Sequence, residues 1–507
     1  MTTRRKNQIE YGDFQTPIEL AIEVCRVVAS TGFQPASILE PTCGVGGFLQ
    51  AASQAFPAAG VIQGVDINAE YVESARQAMQ LVPFEGRVSI EQADYFATDW
   101  PPILATLPRP LLVIGNPPWV TTAGLGAIGS TNTPQKTNSD SLRGIDAITG
   151  SSNFDISEWM LRQQVRWLLQ DGGMIAVLCK TSVARKVLMN SWEQEIPVES
   201  ARMYHIDAQR YFGAAVDACL FILQIGTTAS CQECAEYASL ESHSPTRTFG
   251  LRSGRLIADV RLHEQWGTLA DKGLSGWRSG VKHDCSRVFE VQHDNGTFVN
   301  GADEVVVVEP HVLFPLMKSS DLAAQRLPSR YLLLTQRSIS DTPERLCTQA
   351  PLAWQYLLKN GELLDRRKSS IYKNRPRFSM FGVGPYSFAP WKVAISGLYK
   401  RLTFCIVPPF QNQPVLFDDT CYFFPCRSRE ESELLLQLLD SQAAQEFLLA
   451  QIFWDAKRPI TAGLLNTLSL EKLAQVLGYR SSDLPSLTER QRVEYGAATQ
   501  QMVLALQ

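Results

Sequence analysis

Short runs rich in apolar residues alternate with amphipathic segments through the first half of the chain. The runs lie at residues 37–40, 60–65, 88–91, 111–114, 173–180, 203–206 and 217–226. Most of them end near a glycine, a proline or an acidic residue, which is typical of buried strands. The segments between them, such as 18–30 and 69–79, have apolar residues at helical spacing. This alternation predicts an α/β fold with a largely parallel sheet.

Polar side chains follow the early strands at the points where each strand ends. Glu40 closes the first, Asp66 follows the second, Asp94 comes shortly after the third, and Asn116 follows the fourth. Because the carboxyl ends of parallel strands share one edge of a sheet, we expect these groups to converge on one crevice. The joint pattern is far more specific than any single member of it.

A glycine-rich turn lies between the first strand and the next helix, in the sequence PTCGVGG at residues 41–47. Such a turn, with Thr42 and Gly44, exposes backbone N–H groups to a polar or anionic ligand without Cβ atoms in the way. Asp66 stands where a doubly wound nucleotide-binding fold holds a ribose diol, and Ile67 could cover an adenine face. Asp66 could equally cap the following helix, and the two roles are compatible.

The segment Asn116-Pro117-Pro118-Trp119 is a stiff loop, because both prolines fix φ and lack an N–H. The amide oxygen of Asn116 and the carbonyl of Pro117 can each accept one N–H of an exocyclic amine. Trp119 can stack on the ring that carries the amine. The alternative is a proline-rich turn that closes a core strand, with Trp119 as a packing residue.

The net charge of −4 over 507 residues does not suggest a uniformly basic nucleic-acid binder. Residues 364–378 are locally basic and predict a phosphate-binding surface, the alternative being a solvated charged helix. Their cations are Arg366, Arg367, Lys368, Lys373, Arg375 and Arg377. The polar stretch 228–248 is predicted to be a linker, which leaves domains at 1–227 and 249–507.

Over roughly the first 225 residues the motifs ILEPTCGVGGF, VDI, ADYF and NPPW occur in this order. The chain thereby resembles class I S-adenosylmethionine-dependent DNA adenine-N6 methyltransferases of the gamma arrangement. The resemblance implies a doubly wound Rossmann-like sheet, a C-terminal α+β target-recognition domain and S-adenosylmethionine as the cofactor. The residues implied to surround the cofactor are Thr16, Glu40, Thr42, Gly44, Asp66, Ile67, Asp94 and Tyr95.

The implied reaction is site-specific methylation of the N6 amine of an adenine flipped out of duplex DNA, in a restriction-modification or related defence system. Asn116, Pro117 and Trp119 would hold the base, with Phe212 or, alternatively, Tyr211 stacking on it. Trp119 stands where many adenine enzymes have Tyr or Phe, which leaves cytosine N4 open as the target. The rival functions are methylation of RNA or of a protein amide, and a non-catalytic DNA-specificity subunit.

The sequence around Lys282, SGVKHDC, more loosely resembles the start of a target-recognition domain, and Lys282 joins the predicted DNA contacts. The polar segment 120–153 is expected to be a loop that orders over DNA or cofactor. The expected partners are double-stranded DNA and a separate restriction endonuclease or other defence subunits. Eleven scattered cysteines without a zinc-site spacing or signal peptide predict a cytoplasmic protein without a metal, and no apolar run suggests a membrane span.

Overall fold

The computed structural model describes residues 15–120, 155–227, 230–294, 296–479 and 491. The chain divides into two compact units, residues 1–260 and 261–507. The loop expected at 120–153 lies outside the described residues, apart from Val120. Within the described ranges, no helix is long and apolar enough to cross a membrane.

The first unit consists of one sheet with helices on its faces. Its strands are β1 Ser37–Glu40, β2 Val61–Asp66, β3 Arg87–Gln92, β4 Leu111–Gly115, β5 Gly173–Lys180, β6 Val198–Ile206, β7 Ala218–Ile225, β8 Glu233–Tyr237, β9 Arg247–Arg252 and β10 Arg255–Ile257. Its helices are α1 Ile18–Ser30, α2 Gly47–Ala55, α3 Ala69–Gln80, α4 Trp100–Ala105, α5 Ile156–Trp167, α6 Thr181–Glu193 and α7 Ala208–Phe212, and α8 Val260–Trp266 spans the division between the units.

The ten strands are ordered β10-β9-β8-β6-β7-β5-β4-β1-β2-β3. Strands β3, β2, β1, β4 and β5 pair in parallel, and β7 runs antiparallel between β5 and β6. Strand β4 is buried at every position, as its uninterrupted apolar sequence predicts. Leu20, Val24 and Val28 of α1 are fully buried in the core. The predicted α/β fold with a doubly wound sheet is confirmed.

The stretch predicted to be a linker differs from that expectation. Of residues 228–248, Glu233–Tyr237 form β8, which pairs in parallel with β6, and β9 pairs antiparallel with β8. Buried and partly exposed positions alternate along β8, and glutamates occur on both faces, Glu233 on the partly exposed one and Glu236 on the buried one. This gives the segment its polar composition. The structure therefore extends the first sheet through residue 257 and divides the chain at 260/261.

The second unit combines two small sheets with short helices, an α+β arrangement. Its strands are β11 Arg278–Ser279, β12 Glu290–Asp294, β13 Thr297–Asn300, β14 Val305–Val306, β15 Leu313–Met317, β16 Arg330–Leu333, β17 Trp391–Ser396, β18 Cys405–Val407, β19 Leu416–Phe417 and β20 Cys421–Cys426. Its helices are α9 Ser286–Phe289, α10 Ser319–Ala323, α11 Leu346–Gln349, α12 Pro351–Lys359, α13 Gly361–Asp365, α14 Arg429–Leu439, α15 Gln442–Leu449, α16 Ala462–Leu465 and α17 Leu470–Val476.

The sheets of this unit are ordered β11-β20-β17-β18 and β14-β13-β12-β16-β15-β19. Most of their pairings are antiparallel, and β15–β19 is parallel. Helices α14, α15 and α17 bury Leu435, Phe447 and Leu473 in one hydrophobic core with Phe424 of β20. A separate core lies under the six-stranded sheet. The unit therefore has the layered construction of an independent domain.

The extension of the first sheet is held by an ionic cluster. Glu236 of β8 is buried and accepts hydrogen bonds from Arg247 of β9, at 2.5 Å from Nε, and contacts His205 of β6 at 2.5 Å. Burial alone would raise the pKa of Glu236, but the hydrogen bonds from His205 and Arg247 outweigh it and lower the pKa to about 2. The carboxylate is thus stabilised in its charged form across three strands.

We expect Glu236→Gln to remove part of the acid sensitivity of the fold. A carboxylate with a depressed pKa stabilises the folded state above its ordinary value of 4.5, and this contribution is lost as the pH falls toward 2. Urea unfolding at a series of pH values should show a shallower acid limb for the variant than for the wild type. Glu73→Gln, an exposed position on α3, is the control. An unchanged acid limb in Glu236→Gln would contradict the assignment.

Candidate active site

A cavity of about 330 Å³ lies at the carboxyl edge of the parallel strands. The ends of β1, β2, β3 and β4 and the glycine-rich turn form its walls. The residues expected around the cofactor all line it: Thr16, Glu40, Thr42, Gly44, Asp66, Ile67, Asp94 and Tyr95. Asn116 lines the same cavity. The strand-end groups therefore converge as the parallel-sheet argument requires.

Asp66 fixes the glycine-rich turn to the end of β2. Its carboxylate accepts one hydrogen bond from the Gly44 N–H and one from the Asn68 N–H, each at 2.8 Å. Gly44 and Gly46 adopt left-handed φ values of 50° and 86°, which favour glycine. The cap of α3 is Asn68, whose side chain accepts from the next turn. The alternative role of Asp66 as the helix cap is therefore not what the structure adopts.

Glu40 brings a buried carboxyl group to the cavity. Its side chain is 2% exposed, and Oε2 has no hydrogen-bond partner among the residues that the structure describes. Burial raises the pKa of Glu40 well above its usual range, and the neighbouring charge of Asp66 raises it further. Gly115 leaves room for this group, because a Cβ there would lie 3.2 Å from Glu40 Cγ. An unpartnered buried acceptor beside a second acid suits a cationic ligand group.

The remaining wall of the cavity is apolar and aromatic. Ile67 is 41% exposed there, although it is a large aliphatic residue. The carboxylate of Asp94 accepts from the Phe96 N–H at 2.9 Å. Tyr95 is buried, its hydroxyl donates to the Met160 carbonyl at 3.3 Å, and its ring packs in an aromatic cluster. Tyr95 thus lines the cavity from within the core rather than from an exposed loop.

Sequence reasoning missed several residues of the lining, among them Gln15, Phe96 and Met160. Phe96 directly follows Asp94-Tyr95, so the same motif could have indicated it. Gln15 accepts a hydrogen bond from the Val45 N–H at 3.2 Å, a contact that joins residues far apart in sequence. Met160 comes from α5, and no local pattern in that helix signals its position at the cavity.

The NPPW segment lies partly at the cavity and partly in the core. Asn116 and Pro118 line the cavity, whereas Pro117 is buried. Trp119 is 7% exposed, and its indole N–H donates to the Leu178 carbonyl at 3.1 Å. The indole also packs edge to face against Phe212, with ring centroids 5.2 Å apart and planes at 74°.

This contact differs from the expected arrangement, in which a base lies between Trp119 and Phe212. Two rings in edge-to-face contact leave no space for a third ring between them. In this conformation Trp119 and Phe212 therefore pack against each other, as the alternative interpretation of these residues expects. Tyr211, the alternative aromatic, places its hydroxyl 3.5 Å from Glu23 of α1. Of the two aromatics, the ring of Phe212 is the one in contact with Trp119.

The basic stretch 366–377 of the second unit is mostly irregular, with one short 3-10 turn at Ser370–Tyr372. Its cations fall into different classes. Arg366, Lys368, Lys373, Arg375 and Arg377 are exposed. Arg366 lies 3.9 Å from Glu362 in a weak pair, and Arg377 forms a bidentate ion pair with Asp365 at 2.7 and 3.0 Å. The predicted contact Lys282 lies 3.8 Å from Asp284 in a weak ion pair.

Arg367 departs from the predicted phosphate-binding role. Its guanidinium donates to the carbonyls of Ser379 and Leu364, at 2.7 and 3.0 Å, and lies 3.9 Å over the ring of Tyr372. Burial lowers the pKa of this arginine. These contacts orient the guanidinium toward protein carbonyls, because the loop closes back on α13. Arg367 therefore stabilises the loop, and its exposed neighbours are the candidates for DNA contacts.

Within the described ranges, no group of three or more His, Cys, Asp or Glu residues is close enough to hold a metal ion. The cavity itself combines acidic groups for cations and hydroxyls with an exposed aliphatic side chain. This combination fits a nucleoside that carries a positively charged tail, since each part of such a ligand meets a group of matching chemistry.

Three matches to known proteins identify the family of this chain. The family model for N-6 DNA methylases matches residues 3–196. The type II methyltransferase M.NspV from Nostoc sp. is 43% identical over 475 residues, covering 93% of this chain and 98% of that protein. The DNA complex of the type IIL restriction-modification enzyme MmeI aligns with a TM-score of 0.52 at 12% identity. That alignment covers 89% of this chain and 64% of MmeI. Because the identity is only 12%, it shows a shared fold alone.

The fold and the cavity define a class I methyltransferase, whose cofactor is S-adenosylmethionine. The extent and identity of the match to the Nostoc protein specify the family. The chain belongs to the N-6 DNA methylases, among the DNA methyltransferases of restriction-modification systems. The residues present fit the cofactor, because the unpartnered Oε2 of Glu40 and the carboxylate of Asp66 match its cationic tail and its ribose hydroxyls.

We expect Asp66→Asn and Asn116→Ala to affect different steps, the first cofactor binding and the second the reaction of the bound cofactor. Loss of the Asp66 charge should weaken S-adenosylmethionine at least about tenfold, since hydrogen bonds to charged groups contribute about 1.5–3 kcal/mol. Asn116→Ala should keep the cofactor affinity within about twofold, because its amide is expected to serve the target amine rather than the cofactor. Calorimetric titration of both variants measures this. Equal losses in the two variants would mean that the two ends of the cavity have been misassigned.

Proposed function

We propose that this chain transfers a methyl group from S-adenosylmethionine to the N6 amine of an adenine turned out of duplex DNA. The observation that carries the proposal is Asn116 at the end of β4, in the wall of the cavity that also holds Glu40 and Asp66. An amide beside a cofactor site can present an amine to the reactive methyl. The base must leave the duplex, because its amine is not accessible within the stack.

Each proposed cofactor residue contacts a different part of the ligand. Asp66 accepts from the ribose hydroxyls, Ile67 covers one face of the adenine, and Asp94 accepts from the adenine amine. Glu40 offers a carboxyl oxygen to the positive charge of the methionine end. When bound, S-adenosylmethionine supplies an electrophilic methyl group, so the protein contributes position and electrostatics rather than the bond-breaking group.

The target amine is activated without a covalent enzyme intermediate in this proposal. The amide oxygen of Asn116 and the carbonyl of Pro117 each accept one N–H, which localises the nitrogen lone pair toward the methyl group. The amine proton leaves after the methyl has been transferred. Cys43, which lies within the glycine-rich turn, is buried, and burial raises its pKa, with the Glu40 charge raising it further. This thiol therefore stays protonated and serves as a packing residue.

The base is proposed to stack on Trp119 after Phe212 has moved. The indole of Trp119 is fixed by its bond to Leu178, whereas the ring of Phe212 is partly exposed. Phe212 ends the short helix α7 immediately before Gly213, which has a φ of 65°. Rotation of Phe212 away from Trp119 would open a space for the adenine. Stacking of this kind contributes about 1–3 kcal/mol per base.

The second unit is proposed to recognise the target sequence, and the first to carry the reaction. The exposed cations Arg366, Lys368, Lys373 and Arg375 would contact DNA phosphates. The 3.9 Å pair of Arg366 with Glu362 is largely exposed and therefore weak. Lys282 and Arg377 are weaker candidates, because Lys282 faces Asp284 in a less exposed pair and Arg377 forms a bidentate pair with Asp365. Phosphate contacts fix the register on the duplex and leave sequence reading to other side chains. A separate restriction endonuclease is the proposed functional partner, as in other restriction-modification systems.

The proposed reaction predicts label transfer from methyl-labelled S-adenosylmethionine to duplex DNA, with N6-methyladenine in the digested product. The measurement is scintillation counting of purified DNA followed by mass spectrometry of its nucleosides. RNA and a lysate protein fraction serve as parallel acceptors. Label confined to RNA or protein would overturn the substrate assignment. N4-methylcytosine as the product would overturn the choice of base while leaving DNA as the substrate.

We expect the triple change Arg366→Glu, Lys368→Glu and Lys373→Glu to weaken binding to all DNA sequences alike. Each lost phosphate contact should flatten the slope of log affinity against log salt by about 0.9. Fluorescence anisotropy at several salt concentrations measures this slope. Arg429→Glu, at an exposed arginine outside the stretch, controls for charge reversal. Arg367→Ala should instead lower the melting temperature and keep the slope, because its guanidinium serves the loop. An unchanged slope in the triple variant would place the stretch away from DNA.

A further inference from the structure

Lys180, the last residue of β5, joins the NPPW segment to the start of α5. Its Nζ donates to the Trp119 carbonyl at 3.1 Å and to Asp155 Oδ2 at 2.6 Å. The Lys180 and Asp155 side chains are only 20% and 9% exposed. The ammonium group therefore sits in a largely enclosed position between one backbone carbonyl and one carboxylate, outside the cofactor cavity.

The NPPW segment is attached to β5 at both of its ends. On one side, Gly115 pairs with Val177 in the parallel ladder. On the other side, Leu178 accepts from the indole of Trp119, and Lys180 binds the carbonyl of the same residue. Between these attachments, the two prolines fix their own φ angles. The positions of the Asn116 and Pro117 acceptors thus depend on where β5 holds Trp119.

Asp155 is itself held in place, so the ion pair is a firm anchor. Its carboxylate caps α5 by accepting from the N–H and the hydroxyl of Ser157, at 3.1 and 2.6 Å. The neighbouring Ile156 N–H donates to the Val120 carbonyl at 2.9 Å. Val120 and the first residues of α5 are therefore joined at the end of β5, where Lys180 links Trp119 to Asp155.

A largely buried ion pair is a weak means of stabilising a fold. The cost of removing two charges from water often exceeds their attraction, and a well-packed apolar pair of similar size is frequently as stable. A charged link does, however, define geometry, because the ammonium must satisfy both oxygens at once. The placement of Lys180 against the backbone of the NPPW segment therefore favours a role in positioning over a role in stability.

We propose that Lys180 is a positioning residue for methyl transfer. It acts through the Trp119 carbonyl, with Asp155 as its counter-ion, and thereby sets the geometry of the Asn116 and Pro117 acceptors. The inference rests on the proposed function of that segment and extends it to residues outside the NPPW motif. A displacement of about 1 Å at a reacting centre can cost about a hundredfold in rate, so a remote link of this kind has a measurable effect.

The test compares Lys180→Met with Lys180→Arg in single-turnover methylation of duplex DNA. Lys180→Met should slow methylation by roughly ten- to a hundredfold, while the dissociation constants of S-adenosylmethionine and DNA change by less than about twofold. Lys180→Arg should restore much of the rate, because a guanidinium can also bridge a carbonyl and a carboxylate. Lys186→Met is the matched control. It removes an ion pair between α6 and Glu158 of α5 without touching the NPPW segment.

Asp155→Asn provides a second, independent variant. The amide oxygen can still cap α5, so the helix should persist while the charge on the partner of Lys180 is lost. Its rate should fall, and the double variant with Lys180→Met should be no slower than Lys180→Met alone, since both changes break one link. If Lys180→Met fails to fold, the methylation rates and melting temperatures of Asp155→Asn and Lys180→Arg provide the test. A slower rate in Asp155→Asn at an unchanged melting temperature supports the positioning role.

A wild-type rate in Lys180→Met, or rate losses that simply add in the double variant, would overturn the positioning role. Weakened cofactor and DNA binding in proportion to the rate would do the same, because it would indicate a general structural defect. These outcomes are distinct from failure of the proposed function. In that case the wild-type chain itself would place no label in DNA adenine, whatever residue stands at position 180.

Discussion

The site depends on the parallel register of β1 with β2 and β4. This register aligns Glu40 with Gly64 and Leu39 with Val113, so the three strands end at one edge. It also brings two acids together, which raises the pKa of Glu40 through burial and the charge of Asp66. The fold thus places two acidic groups side by side, one of them buried. A positively charged ligand group beside them would favour their charged forms, so the same register that shapes the cavity also sets its preference for a cation.

Much of the site was predictable because its determinants are local in sequence. A strand end is indicated by a short apolar run followed by a turn and a polar residue. Parallel topology then places all such ends at one edge of the sheet. What could not be predicted depends on contacts between distant segments. The sequence predicts that Arg367 contacts DNA, whereas in the structure its guanidinium donates to the carbonyls of Leu364 and Ser379. Met160 reaches the cavity from a helix whose sequence carries no sign of it.

The stretch 228–248 shows a different limit of sequence reasoning. Its polar composition is real, but one face of β8 is buried and carries Glu236 into an ion cluster with Arg247. A strand with charged residues at inward positions does not have the alternation that identifies strands. The contact between Trp119 and Phe212 is similar, since both aromatic residues were noticed but their packing against each other depends on tertiary structure.

Strands β8, β9 and β10 at one side of the first sheet affect whether two copies of this protein can associate through their sheet edges. Without them β6 would end the sheet with a long row of unpaired backbone groups, which readily pairs with another chain. With them the sheet ends in β10, which has three residues and begins with Arg255. The opposite edge, β3, exposes Arg87 and Glu91. Within the described residues, both edges of the sheet therefore carry charged side chains that discourage pairing with a strand of another copy.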